Sequence, residues 1–314
     1  MKYDLSIIIP ARNELFLSKT VSDIIEHKRG NTEIIVGLDG QWADPVIPQH
    51  SDVTVVYYPE SIGQRAIANR CASISNAKYL MKCDAHCSFA EGFDTILMND
   101  IQDDWTIVPT MRNLHAFDWK CVKCGKRTYQ GPTPTKCFDE NCTGTKFVRR
   151  MVWIAKNNPQ SNSYCFDNTP HFQYFKEYEK RPEYKEALEN TGLTETMSLQ
   201  GSCFMLTRDK WFELNICDED FGTWGSQGIE VAVKTWLSGG RVVVDHKTYY
   251  AHMFRTQGGD FSFPYPLSGR QVDFAKKKAK ELFFDDNWDK QIHSVAWLVR
   301  KFWPVPGWDS ISED

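Results

Sequence analysis

The chain has 314 residues, of which 41% are hydrophobic and 25% are charged. This composition excludes an intrinsically disordered chain and is typical of a globular protein. The formal charge of −4 at pH 7 excludes a global basic field, so a nucleic acid or an anionic membrane could only be met by a local patch. The sequence has no run of about 18 apolar residues and no signal-peptide pattern, so we expect a soluble, cytoplasmic protein.

The first third of the chain alternates between strand and helix patterns. Short apolar, β-branched runs predict strands, and apolar residues at helical spacing predict helices. The predicted strands cover residues 5–9, 33–38, 53–58, 77–83 and 107–111, and the predicted helices cover residues 17–27 and 64–75. This order predicts a parallel sheet with helices on both faces, in which ligands bind at the carboxyl ends of the strands. Pro10, Asp39 and Asp84 lie at those ends.

The alternating pattern breaks after residue 111 and returns near residue 201. Between these points we predict a loop over residues 156–172 and an amphipathic helix over residues 172–189. The later predicted elements are strands over 202–207 and 241–250 and helices over 208–214, 229–237, 270–284 and 290–302. A glycine-containing segment, residues 258–269, is our candidate for a mobile lid.

An acidic and an imidazole side chain follow the fourth predicted strand. Asp84 and His86 are two residues apart, and His252 ends the run that begins at Val242. Side chains two residues apart on an extended segment point the same way. The three side chains can therefore share one divalent cation and leave coordination positions open for phosphate oxygens. In the alternative interpretation, Asp84 caps a turn and His86 is an ordinary hydrogen-bonded residue.

Four cysteines have the spacing of a structural zinc site. Cys121 and Cys124 are separated by two residues, and Cys137 and Cys142 by four. This pattern predicts a small zinc ribbon, whereas two disulfides are the alternative. Residues 118–150 carry eight basic and three acidic side chains, which leaves about +3 after a tetrathiolate zinc ion is counted. The ribbon could hold nucleic acid, or it could shape an acceptor groove or a subunit contact.

Several segments in a fixed order match the motifs of one enzyme family. They are Ile9-Pro10-Ala11-Arg12-Asn13-Glu14, Asp39-Gly40, Leu80 to Ser88 with the Asp-Ala-His-Cys that starts at Asp84, and a C-terminal block. The block comprises Gln200-Gly201-Ser202-Cys203-Phe204-Met205, Trp211-Phe212, Trp224-Gly225 through Glu230, Thr235-Trp236-Leu237-Ser238-Gly239-Gly240 and Ala251-His252-Met253-Phe254-Arg255. With these segments the chain resembles family-2-type glycosyltransferases of the GT-A fold. Within that group it is most similar to the polypeptide N-acetylgalactosaminyltransferases.

The resemblance implies an α/β fold of the GT-A (nucleotide-diphospho-sugar transferase) type, with a mostly parallel sheet and the zinc ribbon as an insertion. It also implies a UDP-sugar-dependent hexosyltransferase that moves a hexose or N-acetylhexosamine to an acceptor hydroxyl with retention of configuration. Asp84, His86 and His252 would bind Mn²⁺ or Mg²⁺. The implied donor-binding residues are Pro10, Arg12, Glu14, Asp39, Gly63, Arg65, Trp224 and Arg255.

One departure from the family pattern concerns the catalytic groups. The family's Glu in Trp-Gly-Gly-Glu-Asn falls on Gln227, and its Asn falls on Gly228. A glutamine cannot act as a general base at neutral pH. Either Glu230 therefore approaches the site, or the leaving phosphate takes the proton. Glu230 and Trp224 also fit an alternative in which they only pack in the interior.

The predicted organisation has four parts. Residues 1–114 and 196–285 form the glycosyltransferase core, 115–155 the zinc ribbon, 156–195 a loop and helix connection, and 286–314 a helical tail. The basic ribbon and the missing export signal suggest hydroxymethylpyrimidine in DNA as the acceptor, as in a phage-type enzyme of the host cytoplasm. The alternatives are a protein Ser/Thr or glycan hydroxyl, or a zinc-ribbon nucleic-acid-binding protein with a decayed transferase site.

Overall fold

The computed structural model describes residues 2–157, 162–255, 265 and 269–309. The predicted lid segment, residues 258–269, lies almost entirely outside them. The strands are β1 Leu5–Ala11, β2 Thr32–Asp39, β3 Val53–Tyr58, β4 Tyr79–Cys83, β5 Cys87–Phe89, β6 Trp105–Cys121, β7 Arg127–Tyr129, β8 Phe147–Ala155, β9 Tyr164–Phe166, β10 Phe172–Tyr174, β11 Leu193–Glu195, β12 Cys203–Thr207 and β13 Arg241–His252. The α-helices are α1 Leu17–His27, α2 Gln64–Ile74, α3 Phe93–Asp100, α4 Pro182–Thr191, α5 Arg208–Glu213, α6 Gln227–Leu237, α7 Gly269–Ala279 and α8 Val295–Lys301.

A mixed, mostly parallel sheet organises the molecule. Its strand order is β11-β13-β6-β12-β4-β1-β2-β3. Strands β4, β1, β2 and β3 run parallel, β13 runs parallel to β6, and β12 is antiparallel to both of its neighbours. The carboxyl ends of β1, β2 and β4 therefore meet at one edge, as predicted for Pro10, Asp39 and Asp84.

The central strand β1 shows why the sheet is covered on both faces. Ile7 and Ile9 belong to one hydrophobic cluster and Ile8 to another, and all three are fully buried. Side chains alternate between the two faces of a strand, so an uninterrupted apolar run requires packing on both sides. In β2, Gly37 allows α2 to approach closely, because a Cβ there would lie 2.5 Å from Cγ1 of Ile67.

Strand β6 is much longer than the predicted strand over residues 107–111. It leaves the main sheet and pairs with β7 and β8 in a three-stranded antiparallel sheet that carries the cysteines. Its inner face is apolar, with Leu114, Phe117 and Trp119 buried. The predicted boundary between core and ribbon at residues 114/115 thus falls inside one continuous strand.

The connection between residues 162 and 195 differs from the prediction. Residues 172–174 form β10, which pairs with β9, so the predicted loop contains a strand and the predicted helix over 172–189 is wrong at its start. Tyr164, Phe172 and Tyr174 stack across this hairpin and favour strand pairing. Helix α4 begins only at Pro182, which suits a first helical position.

The tail packs back onto the core. The predicted helix over 270–284 is present as α7 and a π-helical turn, Lys280–Phe284, whereas the predicted helix over 290–302 shortens to α8. Ser294 caps α8 by accepting a hydrogen bond from the N–H of Trp297. Among the described residues, none of the helices combines the length and the apolar character that crossing a membrane requires.

Candidate functional site

Three predicted metal ligands lie at the end of the sheet. Asp84 follows the last residue of β4, His86 precedes β5, and His252 ends β13. Pairing of β13 with β5 places His252 opposite Cys87, which brings the two histidines side by side. Residues 84–86 form a turn rather than the extended segment assumed from the sequence. The β4–β5 turn and the β13–β5 pairing, not strand alternation, therefore bring these side chains together.

The ligand atoms of this triad converge. Asp84 Oδ2 lies 3.2 Å from His252 Nε2 and 3.9 Å from His86 Nε2. One ligand atom from each residue falls within 4.8 Å of the others. Carboxylate oxygen and imidazole nitrogen suit a divalent first-row cation. A donor set of one carboxylate oxygen and two imidazole nitrogens therefore fits such an ion.

Charged neighbours surround the triad. Lys82 Nζ pairs with Asp84 Oδ1, and Glu14 lies between His86 Nδ1, at 3.3 Å, and the guanidinium of Arg255. Burial would raise the pKa of Asp84, but the Lys82 charge and the hydrogen bond from His252 outweigh it and lower that pKa. Burial and the nearby His86 lower the pKa of His252 to about 4, so its ring is neutral and able to bind a metal ion.

A cavity of about 450 Å³ opens over the triad. Its walls come from the β1–α1 loop, the segment before β12, the start of α6 and the residues after β13. Nine of the predicted site residues line it: Pro10, Arg12, Glu14, Asp84, His86, Trp224, Gln227, His252 and Arg255. A volume of this size matches a site for a small-molecule or cofactor-sized ligand.

Asp39 and Gly63 do not line this cavity. The Asp39 carboxylate is fully buried and accepts hydrogen bonds from the N–H groups of Ile62 and Gly63 and from the hydroxyls of Ser61 and Tyr265. Because four donors hydrogen-bond to this carboxylate, it anchors the turn before α2. The predicted contact of Asp39 with a base or ribose gains no support from this position.

Arg65 and Glu230 also lie outside the cavity, and the predicted catalytic approach of Glu230 is not seen. The guanidinium of Arg65 pairs with Glu230 Oε2 at 3.0 Å and donates to the carbonyl oxygens of Gly222 and Gly225. Lys234 Nζ lies 3.0 Å from Glu230 Oε1, and the N–H of Asp218 donates to the same oxygen. Both carboxylate oxygens are thus engaged in a buried network that holds the chain before α6.

Gln227 lies at the cavity, as the resemblance implies for the position of the family's Glu. Its side chain lines the cavity, and Nε2 is 3.3 Å from Sγ of Cys217. Gly201 packs against it, because a Cβ on that glycine would lie 3.2 Å from Cβ of Gln227. The amide can hydrogen-bond a ligand but cannot remove a proton at neutral pH.

Sequence reasoning missed Lys82 and Tyr265. Lys82 lies in β4, 1% exposed, and burial alone would lower its pKa, yet the charge and hydrogen bond of Asp84 raise it above the ordinary value. Tyr265 lines the cavity and donates to Asp39. The sequence did contain a signal for Lys82, because a lysine is unusual inside an otherwise apolar strand and this one lies two residues before Asp84. No comparable sequence signal marks Tyr265.

The four ribbon cysteines also converge. Sγ of Cys121 lies 3.9 Å from Sγ of Cys142, and Sγ of Cys124 lies 3.5 Å from Sγ of Cys137. All four sulfurs fall within 4.8 Å of one another and none is in a disulfide. A tetrahedral zinc ion with about 2.3 Å Zn–S bonds separates its sulfurs by about 3.8 Å, so this donor set fits zinc.

The ribbon sheet is anchored beside the triad. Phe16 packs against Phe117 and Trp153, at ring centroid distances of 5.8 and 5.9 Å. Trp153 adopts a positive φ of 59° and donates its indole N–H to Asp23 at 2.8 Å. A non-glycine residue holds such a φ only when its surroundings enforce it. The base of the ribbon therefore belongs structurally to the core.

The family comparison agrees with this architecture. Residues 6–122 match the family model described as Glycosyl transferase family 2. The chain contains a glycosyl transferase family 2 domain. The matched stretch runs from β1 to just past β6, so it includes Asp84 and His86 but neither His252 nor the last three ribbon cysteines.

Several curated relatives of this chain are named N-acetylgalactosaminyltransferases, as the sequence motifs suggested. "Probable N-acetylgalactosaminyltransferase 8" of Caenorhabditis elegans is 35% identical over 275 residues, which are 81% of this chain and 55% of that protein. "Polypeptide N-acetylgalactosaminyltransferase 3" of Homo sapiens is 23% identical over 252 residues, 78% of this chain and 35% of that protein. The chain thus spans only part of the length of these relatives.

A solved structure confirms the predicted fold. The crystal structure of GalNAc-T7 with UDP, GalNAc and Mn²⁺ superposes with a TM-score of 0.66 and 17% identity. The match covers 90% of this chain and 48% of that chain. At this identity the likeness establishes the fold alone, and the fold is the predicted mostly parallel α/β arrangement of the GT-A type.

Proposed function

We propose that the protein is a metal-dependent glycosyltransferase that moves a hexose or N-acetylhexosamine from a UDP-sugar to an acceptor hydroxyl. The observation that carries this proposal is the convergence of Asp84, His86 and His252 at the floor of the cavity. The family 2 domain and the relatives named as N-acetylgalactosaminyltransferases support the same chemistry.

The cavity suits an anionic donor. Four cationic side chains and two carboxylates line it: Arg12, Lys82, Arg255 and Lys276 against Glu14 and Asp84. Asp84, His86 and His252 would hold a divalent ion, which supplies neutralising charge to the departing diphosphate. The protein side chains hold the donor and orient the acceptor hydroxyl toward C1 of the sugar.

The acceptor proton needs a base, and the described residues favour the donor itself. Glu230 is occupied in its buried network, and Gln227 cannot take a proton. In the proposed step the acceptor oxygen bonds to C1, the bond from C1 to the phosphate oxygen breaks, and the proton passes to a leaving phosphate oxygen. This is one of the two routes left open by the sequence.

The test is UDP release from a panel of UDP-hexoses and UDP-N-acetylhexosamines, with Mn²⁺ or with EDTA. We expect Mn²⁺-dependent release with at least one donor, and binding of UDP that requires the metal. A chain that neither binds UDP nor hydrolyses any donor would overturn the proposal and favour a nucleic-acid-binding protein with a decayed transferase site.

For the acceptor, we propose a protein Ser/Thr or glycan hydroxyl, because the human relative is named a polypeptide transferase. A second candidate, hydroxymethylpyrimidine in DNA, gains no support from the relatives, but one surface favours an anionic partner. Cross-strand pairing places Arg127, Lys120 and Val148 in one row of the ribbon sheet and Tyr129, Asp118 and Arg150 in the next. Paired residues share a face, so three cations, one aspartate and a tyrosine lie together there, and the face carries a net positive charge.

Mass spectrometry separates the two acceptors. Ser/Thr peptides, glycans and hydroxymethylated duplex DNA are each incubated with the active donor and Mn²⁺. We expect the mass of one sugar to be added to a peptide or glycan. Transfer to DNA alone would replace our acceptor with the second candidate, whereas no sugar in DNA would remove that candidate.

We also propose a structural Zn²⁺ on the four ribbon cysteines and a reducing, cytoplasmic location. The sulfur distances support the first part. The other six cysteines are buried and none is in a disulfide, which supports the second part, since free thiols persist in reducing compartments. Elemental analysis of the purified protein tests the zinc, and fractionation of expressing cells tests the location.

A further inference from the structure

We propose that Lys82 is a positioning residue of the donor site, which restricts Asp84 to one ligand oxygen and sets a fixed positive charge beside the diphosphate. This inference rests on the proposed function. It concerns a side chain to which the resemblance assigns no role, although Lys82 lies in the matched segment Leu80 to Ser88, in β4 before the Asp84 turn.

Lys82 makes two contacts from a buried position. Its Nζ pairs with Asp84 Oδ1 and donates to the carbonyl oxygen of Gly201 at 2.6 Å. The side chain is only 1% exposed, yet it forms part of the cavity wall. A buried ammonium with two oxygen partners is held in one orientation and keeps its charge next to the site.

The contact with Lys82 gives the two oxygens of the Asp84 carboxylate different partners. Oδ1 is occupied by Lys82, while Oδ2 faces His252 Nε2 and His86 Nε2. Only Oδ2 therefore points to the position between the two histidines where a cation would bind. Lys82 makes Asp84 a ligand through one oxygen and prevents it from rotating to bind through both.

The second contact ties the same lysine to the wall of the cavity. Gly201 precedes β12, and a Cβ on it would lie 3.2 Å from both Gln227 Cβ and the backbone N of Gly228. Lys82 thus links Asp84 on β4 to the segment that packs against the start of α6. A substitution of Lys82 therefore affects both Asp84 and the segment at Gly201.

The charge of Lys82 has opposite consequences for the two ligands of the site. It repels a divalent cation at Asp84 and attracts the phosphates of a nucleotide. Removing the charge alone should strengthen binding of the bare cation and weaken binding of the nucleotide. A lysine that only filled space in β4 would not produce shifts of opposite sign.

The chain contains a matched control. Lys234 is also 1% exposed, pairs with a carboxylate, Glu230, and donates to a carbonyl oxygen, that of Asn215, at 2.6 Å. It has the same kinds of partners as Lys82, with a second carboxylate, that of Asp218, at 3.6 Å, but it does not line the cavity. Loss of a buried lysine charge can therefore be compared inside and outside the donor site.

The experiment compares the wild-type chain with K82M and K234M. Binding of Mn²⁺ alone is followed by the electron paramagnetic resonance of free Mn²⁺, and binding of UDP at saturating Mn²⁺ by calorimetry. For K82M we expect Mn²⁺ alone to bind about tenfold more tightly and UDP about tenfold more weakly. For K234M we expect both affinities to stay within about twofold while the melting temperature falls.

Three outcomes decide the inference. Shifts of opposite sign in K82M alone support it. If K82M only lowers the melting temperature, as K234M does, or weakens both ligands together, the inference is wrong. A wild-type chain that binds no UDP with Mn²⁺ would instead overturn the proposed function, and this inference with it. If K82M does not fold, K82Q replaces it, since glutamine removes the charge and can still donate to Gly201.

Discussion

The donor site and the cysteine cluster are two candidate metal centres built in opposite ways. In the donor site, Asp84 and His252 are 168 positions apart in the chain. In the cluster, Cys121 and Cys142 are 21 positions apart, and the other two cysteines lie between them. The first centre depends on the complete sheet, whereas the second depends on two turns. Local ligand spacing can be recognised in a sequence, but ligands on distant segments need the fold to bring them together.

The two centres also differ in whether they leave a coordination position open for a ligand. Four thiolates complete a tetrahedral zinc ion, so the cluster has no position for a substrate. The triad supplies one carboxylate and two imidazoles and faces a cavity of about 450 Å³. A closed site stabilises structure, whereas an open site can bind a ligand. We therefore expect changes at the triad to affect turnover and changes at the cluster to affect stability.

The largest expected effect comes from removing a triad ligand. D84A and H86A should each lower the rate of sugar transfer by about a thousandfold or more, because the divalent ion loses a ligand. Zinc content should stay at the wild-type value, since the cysteines are untouched. Steady-state kinetics and elemental analysis check the two parts. Near-normal rates in both variants would show that the triad is not the catalytic metal site.

A smaller effect on turnover is expected when the cluster is opened. C124S should reduce the zinc content from about one ion per chain to about none, because three thiolates bind zinc far more weakly than four. The ribbon should then become sensitive to protease, while the transfer rate falls by about tenfold or less, since local unfolding leaves the main sheet intact. Loss of activity equal to that of D84A would contradict the separation of the two centres.

The smallest effect is expected at the contact that joins the two regions. W153F keeps an aromatic ring against Phe16 but removes the indole N–H that donates to Asp23. We expect the free energy of unfolding to fall by about 1.5–3 kcal/mol, the net cost of a lost hydrogen bond to a charged partner. Urea denaturation measures it, and zinc content serves as the control. An unchanged unfolding free energy would mean that this bond does not couple the ribbon to the core.

The fold and the cysteine cluster were largely predictable from residues close in sequence. The alternation of apolar strands and helices up to residue 83 predicted the parallel core, and the structure of GalNAc-T7 confirms it as a GT-A fold. Cysteine spacing predicted a cluster that the structure contains. The hairpin of β9 and β10 was missed, because its aromatic residues prefer a strand only when the partner strand is present.

Individual side chains were decided by tertiary structure. Motif position suggested a catalytic Glu230 and a donor-facing Arg65, but the fold pairs them with each other in the interior. Asp39 ends β2 as predicted, yet its carboxylate turns to the N–H groups before α2. The motif around Lys82 implied no role for this side chain, and only the β4–β12 pairing places it against Gly201. Periodicity and spacing determine elements and local metal sites, because both depend on neighbours along the chain. The partner of a buried charge depends on segments far away in sequence, so only the folded chain determines it.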